Sequence, residues 1–395
     1  MKKNILLIIL FFPLICGAHT PDSTQPEAKF ITSFSFRQFT GGIIIVKARL
    51  QNIPDTLNFV FDTGCGGISL DSTTCSALGI QTTPTDTMTT GMGEAHKVDF
   101  VFDQTLYLPG LTVDHLNFHV NDYSLLTSVY GEKIDGIIGY GFFSRYIVKI
   151  NYDSLRIDVY DPGKIRYPRK GMVLHPALGN VPVQTAQVKD AQKIDFDFYF
   201  DTGAGLCFLM SENFLKDKNI LQPMHHPALI NAEGFAGKVQ MNLTVVKQLK
   251  IGKYSFRSVP TYLYADTSNA TSYPRIGGLI GNDLLRRFNL IVNYPAGEID
   301  LLPNSHFNDL FDYAYTGFSI YYVHGKIIAD DIIARSPAEK AGLQSGDILL
   351  GIENDFSNNI QQYRDILQFS KEKRKLIVIR NGQLLQLFIK PKFIS

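Results

Sequence analysis

Two Asp-Thr-Gly tripeptides stand in this chain, at Asp62-Thr63-Gly64 and Asp201-Thr202-Gly203. A chain of this size carries about 0.1 such tripeptides by chance at background residue frequencies. Each follows an apolar, strand-like run, Phe59-Val60-Phe61 and Phe198-Tyr199-Phe200. Glycine after Asp-Thr permits a tight turn that presents the carboxylate at a loop tip. One such turn by itself is an Asx-type structural feature. Two facing turns bring a pair of carboxylates close enough to share one proton, because like charges so near cannot both ionise cheaply. The chemistry open to such a pair is hydrolysis by a water, with one Asp drawn from each of two matching loops.

The loops belong to an internal repeat, the first thing to seek in a chain of this length. Asp62 is followed at some distance by Ile137-Ile138-Gly139, and Asp201 by Leu279-Ile280-Gly281 at nearly the same spacing. The first continues as Arg145-Tyr146-Ile147-Val148-Lys149-Ile150-Asn151-Tyr152, the second as Arg287-Phe288-Asn289-Leu290-Ile291-Val292-Asn293-Tyr294. Each unit closes on a short strand-like segment, Arg156–Tyr160 or Glu298–Leu302, followed by Pro162 or Pro303. The chain thus holds two copies of one unit, the first built around Asp62 and the second around Asp201. Many short β-branched and aromatic runs among 32 glycines predict an all-β architecture for the first three hundred residues.

An apolar run, Asp-Thr-Gly, then apolar-apolar-Gly resembles the aspartic peptidases. The half-length and the Asp201-Thr202-Gly203-Ala204 form resemble the retropepsin-like lobes within that clan. The resemblance covers residues 28–303. It implies two pseudo-symmetric all-β acid-protease lobes in one chain, 28–163 and 170–303, with the active-site cleft between them. It assigns Asp62 and Asp201 as the catalytic pair. In that family the ionised carboxylate takes a proton from a water held between the two, and the protonated one polarises the scissile carbonyl. The resemblance gives Thr63, Gly64, Thr202 and Gly203 a supporting role, each Thr hydroxyl bonding to the opposite loop.

Each half offers a glycine-rich flap, a hairpin tip that can bend and approach a substrate backbone. The first holds Thr90, Gly91, Met92 and Gly93; the second holds Gly234 and Phe235. Thr90 stands where pepsin-like enzymes carry tyrosine. Cys65 follows the first Asp-Thr-Gly where the family usually has Ser, Thr or Ala, and Ala204 follows the second. A thiol donates a weaker hydrogen bond than a hydroxyl, and alanine donates none from its side chain. With fewer donors the pair is expected to hold its proton to higher pH than in pepsin.

Lys2 and Lys3 precede an apolar stretch, Ile5–Ile15, and Cys16-Gly17-Ala18 offers a small-x-small cleavage site. Residues 1–18 therefore read as an export signal, and a periplasmic or extracytoplasmic location follows. Ile5–Ile15 is too short to span a bilayer. No other long apolar run appears, so no transmembrane span is expected and the mature protein should be soluble. A lipid anchor through Cys16 is the less favoured reading, because Ile15 stands where a small residue normally precedes a lipidated cysteine. Only residues 19–29 separate the signal from the first strand-like run, too few for a basic pro-segment. Signal removal leaves Cys65, Cys75 and Cys207, an odd number that argues against a disulfide framework. Cys65 and Cys75 are near enough in sequence to pair, although buried free thiols are the favoured reading. His225-His226 is an isolated pair before Pro227, and no Cys/His spacing suggests a metal. No cofactor is expected. A net charge of +1 gives no electrostatic case for nucleic acid.

After Pro303 the pattern changes, and residues 312–395 form a separate module. Ser336 is a helix N-cap with Pro337 at the first helical position, and Gly342 suits the stop. A second helix is expected at Gln361–Phe369, and Leu376–Arg380 with Leu384–Ile389 form a hairpin about Asn381-Gly382. The run from Ser336-Pro337-Ala338 through Ala341-Gly342-Leu343 to Gly346-Asp347 resembles bacterial PDZ domains. Such domains bind an extended peptide by strand addition and hold its C-terminal carboxylate on backbone N–H groups. Thr316-Gly317-Phe318-Ser319-Ile320 is the candidate loop, with Gly317, Phe318 and Ile320 as its binding residues. No basic residue is placed by the sequence to assist there. A groove filled by the chain itself is the competing reading.

The whole reads as an exported, single-chain aspartic endopeptidase acting on peptide or protein substrates, with a PDZ domain for a peptide or partner. The alternative is a non-catalytic peptide-binding protein that keeps the protease fold. A metal-dependent hydrolase finds no ligand cluster.

Overall fold

The computed structural model describes residues 26–89, 91, 96–222, 227–234, 237–266, 273–368 and 372–394. Residues 1–18, expected from sequence to be an export signal with Cys16 among them, and the His225-His226 pair lie outside the described residues.

The chain folds into two closed β lobes and a C-terminal module built on a five-stranded sheet. In the first lobe, Leu57–Phe61 lies beside Gly136–Ile138 in a seven-stranded sheet, with Val60 opposite Ile137 in a parallel pair. In the second, Lys193–Phe200 lies beside Gly278–Ile280 in an eight-stranded sheet, with Tyr199 opposite Leu279, again parallel. A parallel pair needs a long crossover connection. That is the physical reason for the long, nearly equal spacings from each Asp-Thr-Gly to its apolar-apolar-Gly. Ile44–Leu50 also pairs with Asp99–Leu108, and Pro182–Lys189 with Gly237–Ile251, closing each sheet on itself. Closure removes exposed strand edges. Inside, Phe61 packs on Phe143 at 4.6 Å and Phe198 on Phe208 at 4.9 Å between ring centroids. Full burial of each such ring is worth about 1.5–3 kcal/mol.

The closing segments of the repeat do something the pattern alone did not reveal. They join the two halves in one six-stranded sheet, in which Ile147–Asn151 pairs with Phe288–Asn293 across the middle. There Val148 faces Val292 and Ile150 faces Leu290. Aligning Arg145 with Arg287 in the repeat maps Val148 onto Leu290 and Ile150 onto Val292. The two pairs exchange under that mapping, so a pseudo-two-fold axis runs through this junction. Phe30–Ser35 and Met172–Leu174 form the sheet's outer strands.

Asp300 is fully buried in this shared sheet, and burial pushes its carboxyl up to about 6 against a weaker opposing pull from Lys253. The folded chain then binds the proton more tightly than the unfolded chain. Stability is fully present below about pH 4 and is lost as pH rises through about 6. Asp300→Asn is expected to be more stable than the wild type at pH 8, by on the order of 2–3 kcal/mol, and nearly equal at pH 4. Urea unfolding at the two pH values checks this; an equal difference at both would refute it.

The C-terminal module is a five-stranded sheet with two helices. The Ser336 hydroxyl accepts the Glu339 N–H at 3.2 Å and Pro337 opens the helix, the arrangement expected from sequence. Arg374–Arg380 and Gln383–Ile389 form the hairpin, and Asn381 and Gly382 both take positive φ in its two-residue turn. The segment leading to this module is tied down: Arg287, almost wholly buried, donates to the carbonyls of His306, Asp309 and Leu310 and stacks under Phe311 at 4.1 Å. Among the described residues no helix is long and apolar enough to cross a membrane.

Candidate active site

The strand bearing each Asp-Thr-Gly ends where its neighbour's apolar-apolar-Gly segment begins to turn. The Asp62 N–H donates to the Ile138 carbonyl at 2.9 Å and the Asp201 N–H to Ile280 at 3.0 Å. The loop that follows is pinned again, by Tyr140 N–H on the Cys65 carbonyl and Asn282 N–H on Ala204. Both loops are therefore held at entry and exit by the second half of their own repeat.

Across the lobes the two loops grip each other symmetrically. The Thr63 N–H donates to the Thr202 hydroxyl and the Thr202 N–H to the Thr63 hydroxyl, each at 3.0 Å. The hydroxyls in turn donate to the carbonyls of Phe200 and Phe61, at 2.9 and 3.2 Å. Both threonines are fully buried, so removing either hydroxyl strands a buried partner at a cost of about 1–3 kcal/mol.

Gly64 and Gly203 lie where this grip leaves no room. A Cβ on Gly64 would come within 2.3 Å of the Asp201 carboxyl carbon, and one on Gly203 within 2.2 Å of that of Asp62. The carboxyls of Asp62 and Asp201 thus meet over the junction and hydrogen-bond to each other. Loop N–H groups fix them further: Gly64 donates to Asp62 Oδ1 at 2.6 Å, and Gly203 and Ala204 donate to Asp201 Oδ1 at 2.8 and 3.1 Å. Burial pushes Asp62 well above the usual carboxylate range, and the neighbouring Asp201 charge adds to this. Asp201 is raised as well, chiefly by burial. The titration of two carboxyls so placed belongs to the pair rather than to either residue. Burial, with the Asp62 charge adding, pushes the Cys65 thiol up to about 12. Cys65 therefore stays an S–H group at neutral pH. Cys65, Cys75 and Cys207 are free thiols.

A cavity of about 1000 Å³ opens over the pair, within the range that binds peptide-sized ligands. Both candidate flap hairpins border it. The first is the pairing of Met88–Thr89 with His96–Lys97, and Gly91 lines the cavity; Thr90, Met92 and Gly93 lie outside the described residues. A chain of hydrogen bonds anchors its base, from His96 to Asn121 to Tyr123 to Ser69. The second flap is Ala228–Gly234 against Gly237–Ile251, with Gly234 opposite Gly237; Phe235 lies outside the described residues. This flap is fastened to the C-terminal module. Tyr315 donates to the Leu229 carbonyl at 2.9 Å, Tyr321 donates to Glu233 at 2.7 Å, and Lys238 pairs with Asp331 at 2.8 Å.

Gly317, Phe318 and Ile320 line the same cavity as the two aspartates. Sequence reasoning treats the C-terminal module as a separate binding surface and places no basic residue near it. The fold corrects this: Arg364 of the helix Ile360–Gln368 also lines the cavity, and its guanidinium donates to the Ile320 carbonyl at 3.0 Å. The signal available in sequence was an arginine four residues after Ile360 and three before Leu367, on the apolar face of that helix. Among the described residues no cluster of three or more His, Cys, Asp or Glu side chains forms a metal site.

Comparison with known families agrees with both parts of the fold. Residues 46–142 match the aspartyl protease family model, and residues 328–381 match the PDZ domain model. The first match spans the Asp62 loop and Gly139. The second lobe, with Asp201, is tied to it by the internal repeat and by the shared sheet. No curated protein matches the chain.

Proposed function

We propose that this chain is an exported aspartic endopeptidase that hydrolyses peptide bonds with a water activated by Asp62 and Asp201. The observation that carries the reading is the reciprocal threonine grip, which holds two half-buried carboxyls against each other beneath a cavity bordered by two candidate flaps. A protein that only bound peptide would gain nothing from facing ionisable groups held at such cost. Export rests on the Lys2-Lys3 and Ile5–Ile15 pattern.

With one proton on the pair, the ionised carboxyl removes a proton from water as it attacks the scissile carbonyl carbon. The protonated carboxyl donates to the carbonyl oxygen, which becomes the tetrahedral oxyanion. Collapse expels the amine, which takes up a proton, and the pair returns to its starting state. No covalent intermediate forms. The loop N–H groups and the threonine grip fix both carboxyls before substrate arrives, the preorganisation a catalytic site requires.

The test is cleavage of a mixed peptide library from pH 3 to 8, followed by mass spectrometry. Activity needs a singly protonated pair, and burial raises the pH range over which the pair keeps that proton. The optimum is therefore expected well above pH 3. An optimum below about 3 contradicts the assignment of the raised titration to this pair. Binding without cleavage at any pH would favour a peptide-binding protein instead.

A further inference from the structure

In the five-stranded sheet of the C-terminal module, Ser319–Val323 borders the cavity over the two aspartates. Gln383–Ile389 is the opposite edge, about 19 Å away at four strand spacings. The two-residue turn at Asn381-Gly382 makes Arg380 and Gln383 a hydrogen-bonded pair, so Leu384, Gln386 and Phe388 turn their N–H and C=O groups outward. No described residue takes those groups. Their side chains share the outer face of the sheet, because Leu385, Leu387 and Ile389 between them pack on the module's core. Leu384 is 63% exposed and Phe388 49%. The face continues through Ile379 and Ile377, the cross-strand partners of Leu384 and Gln386, to Ile348 and Gly351. Phe356, 60% exposed, lies over Gly351, where a Cβ would meet its ring at 2.7 Å. An apolar face of this kind on a sheet edge marks an interaction surface.

The same edge concentrates positive charge. Residues 372–394 hold Lys373, Arg374, Lys375, Arg380, Lys390 and Lys392 against Glu372 alone, in a chain whose net charge is only +1. Arg380 is paired with Asp347 at 2.6 Å, and Arg374 lies 4.0 Å from Glu353. No described carboxylate forms an ion pair with Lys373, Lys375, Lys390 or Lys392. The Lys373 ammonium stands 4.7 Å from the centre of the Phe388 ring, and Lys375 is the cross-strand partner of Phe388. Cation and exposed aromatic therefore share one face. Lysines guard a free edge against a second copy, because like charges would meet across the pair. They do not account for a leucine and two phenylalanines kept in water. A nucleic acid would take the cations and stack on Phe388, yet it offers nothing to Leu384. An anionic bilayer meets both demands. Its phosphates take the ammonium groups, while Leu384, Phe388 and Phe356 enter the boundary between headgroups and acyl chains. The outward backbone groups of the edge keep their water at that shallow depth, since only the hydrocarbon core excludes it.

We propose that the outer face and free edge around Gln383–Ile389 dock the protein peripherally on a membrane surface rich in anionic phospholipid. Lys373 and Lys375 bind lipid phosphates, with Lys390 and Lys392 adding to the attraction, and Leu384, Phe388 and Phe356 supply the apolar contact. Docking by this edge leaves the opposite edge, and the cavity it borders, clear of the bilayer but within reach of chains at its surface.

The test uses the chain without residues 1–18, so that neither the Ile5–Ile15 stretch nor a lipid on Cys16 accounts for binding. It is sedimented with vesicles of phosphatidylcholine alone and of phosphatidylcholine mixed with phosphatidylglycerol. Partitioning onto the anionic vesicles is expected to exceed that onto the neutral ones about 10-fold or more in about 0.1 M NaCl, and to fall about 5-fold in about 0.5 M. Leu384→Gln with Phe388→Gln should lower it about 10-fold, and Lys373→Gln with Lys375→Gln about 5-fold. Leu310→Gln, at a residue 79% exposed outside this module's sheet, should leave it unchanged. Leu384 and Phe388 lie outside the core, so melting followed by circular dichroism should show every variant folded. Equal partitioning onto the two vesicles overturns the proposal without any variant, and so does a preference that survives both double variants. Light scattering and titration of a duplex oligonucleotide supply the competing outcomes. A dimer that Leu384→Gln with Phe388→Gln splits, with no vesicle binding, would make this face an interface between copies. Tighter binding to the oligonucleotide than to anionic vesicles would make it a nucleic-acid surface. Either result refutes the bilayer.

Discussion

Asp62→Asn and Asp201→Asn are each expected to lower kcat for peptide cleavage by at least about 10³-fold, and the double variant no further. The non-additivity follows from the geometry. One carboxyl must be ionised to accept the water's proton while its partner is protonated to polarise the carbonyl. An amide in either place leaves the other with no counterpart in the proton exchange. Asparagine keeps the loop shape, because its Oδ1 still accepts from Gly64 or from Gly203 and Ala204, the bonds that shape each turn. Replacing one of these half-buried carboxyls by a neutral amide also relieves its desolvation, so thermal stability should hold or rise while activity disappears. Rates on the mixed peptide library, with melting temperatures alongside, decide the matter. A variant within tenfold of the wild type would place the chemistry elsewhere in the molecule.

Gly203→Ala is expected to cost about 100-fold or more in kcat with the chain still folded. The added Cβ falls 2.2 Å from the Asp62 carboxyl carbon and 2.4 Å from both its oxygens. Asp62 cannot swing aside freely, since the Gly64 N–H holds its Oδ1 at 2.6 Å. The carboxyl must shift by about an ångström, and misplacement of that size typically costs about 10²-fold. The upper pKa of the rate profile, at which the pair gives up its shared proton, should fall, because carboxyls pushed apart repel less and hold that proton less tightly. Gly179→Ala is the matched control, because nothing lies within 4 Å of where its Cβ would stand. If Gly203→Ala keeps the wild-type rate and pH profile, the close approach of the loops is not what sets the chemistry.

Much of this molecule is written in its chain. Two Asp-Thr-Gly loops, the apolar-apolar-Gly segments behind them and the strand-like runs between required only local turn chemistry and period-two burial, and both are local properties. The Ser336 cap and the Asn381-Gly382 turn are local for the same reason, so the C-terminal module was legible as well. The second flap was harder to tell from an ordinary surface hairpin, because a glycine-rich tip carries no record of what lies beneath it.

Contacts between units were not legible. That Val148 meets Val292 and Ile150 meets Leu290 depends on two strands from opposite halves of the repeat finding a common register. Whether the groove of the C-terminal module faced solvent or the cavity over the two aspartates depended on Gln361 reaching Tyr130, Tyr321 reaching Glu233 and Arg287 anchoring the segment between. Arg364 looked like one more helix residue until the fold set it beside Ile320 and above the same cavity as the aspartates. The sequence by itself determined which groups are able to do chemistry, because turns and strands are specified by neighbours along the chain. The tertiary structure decided what those groups face, because burial, shared protons and unpartnered charges exist only between segments that folding brings together.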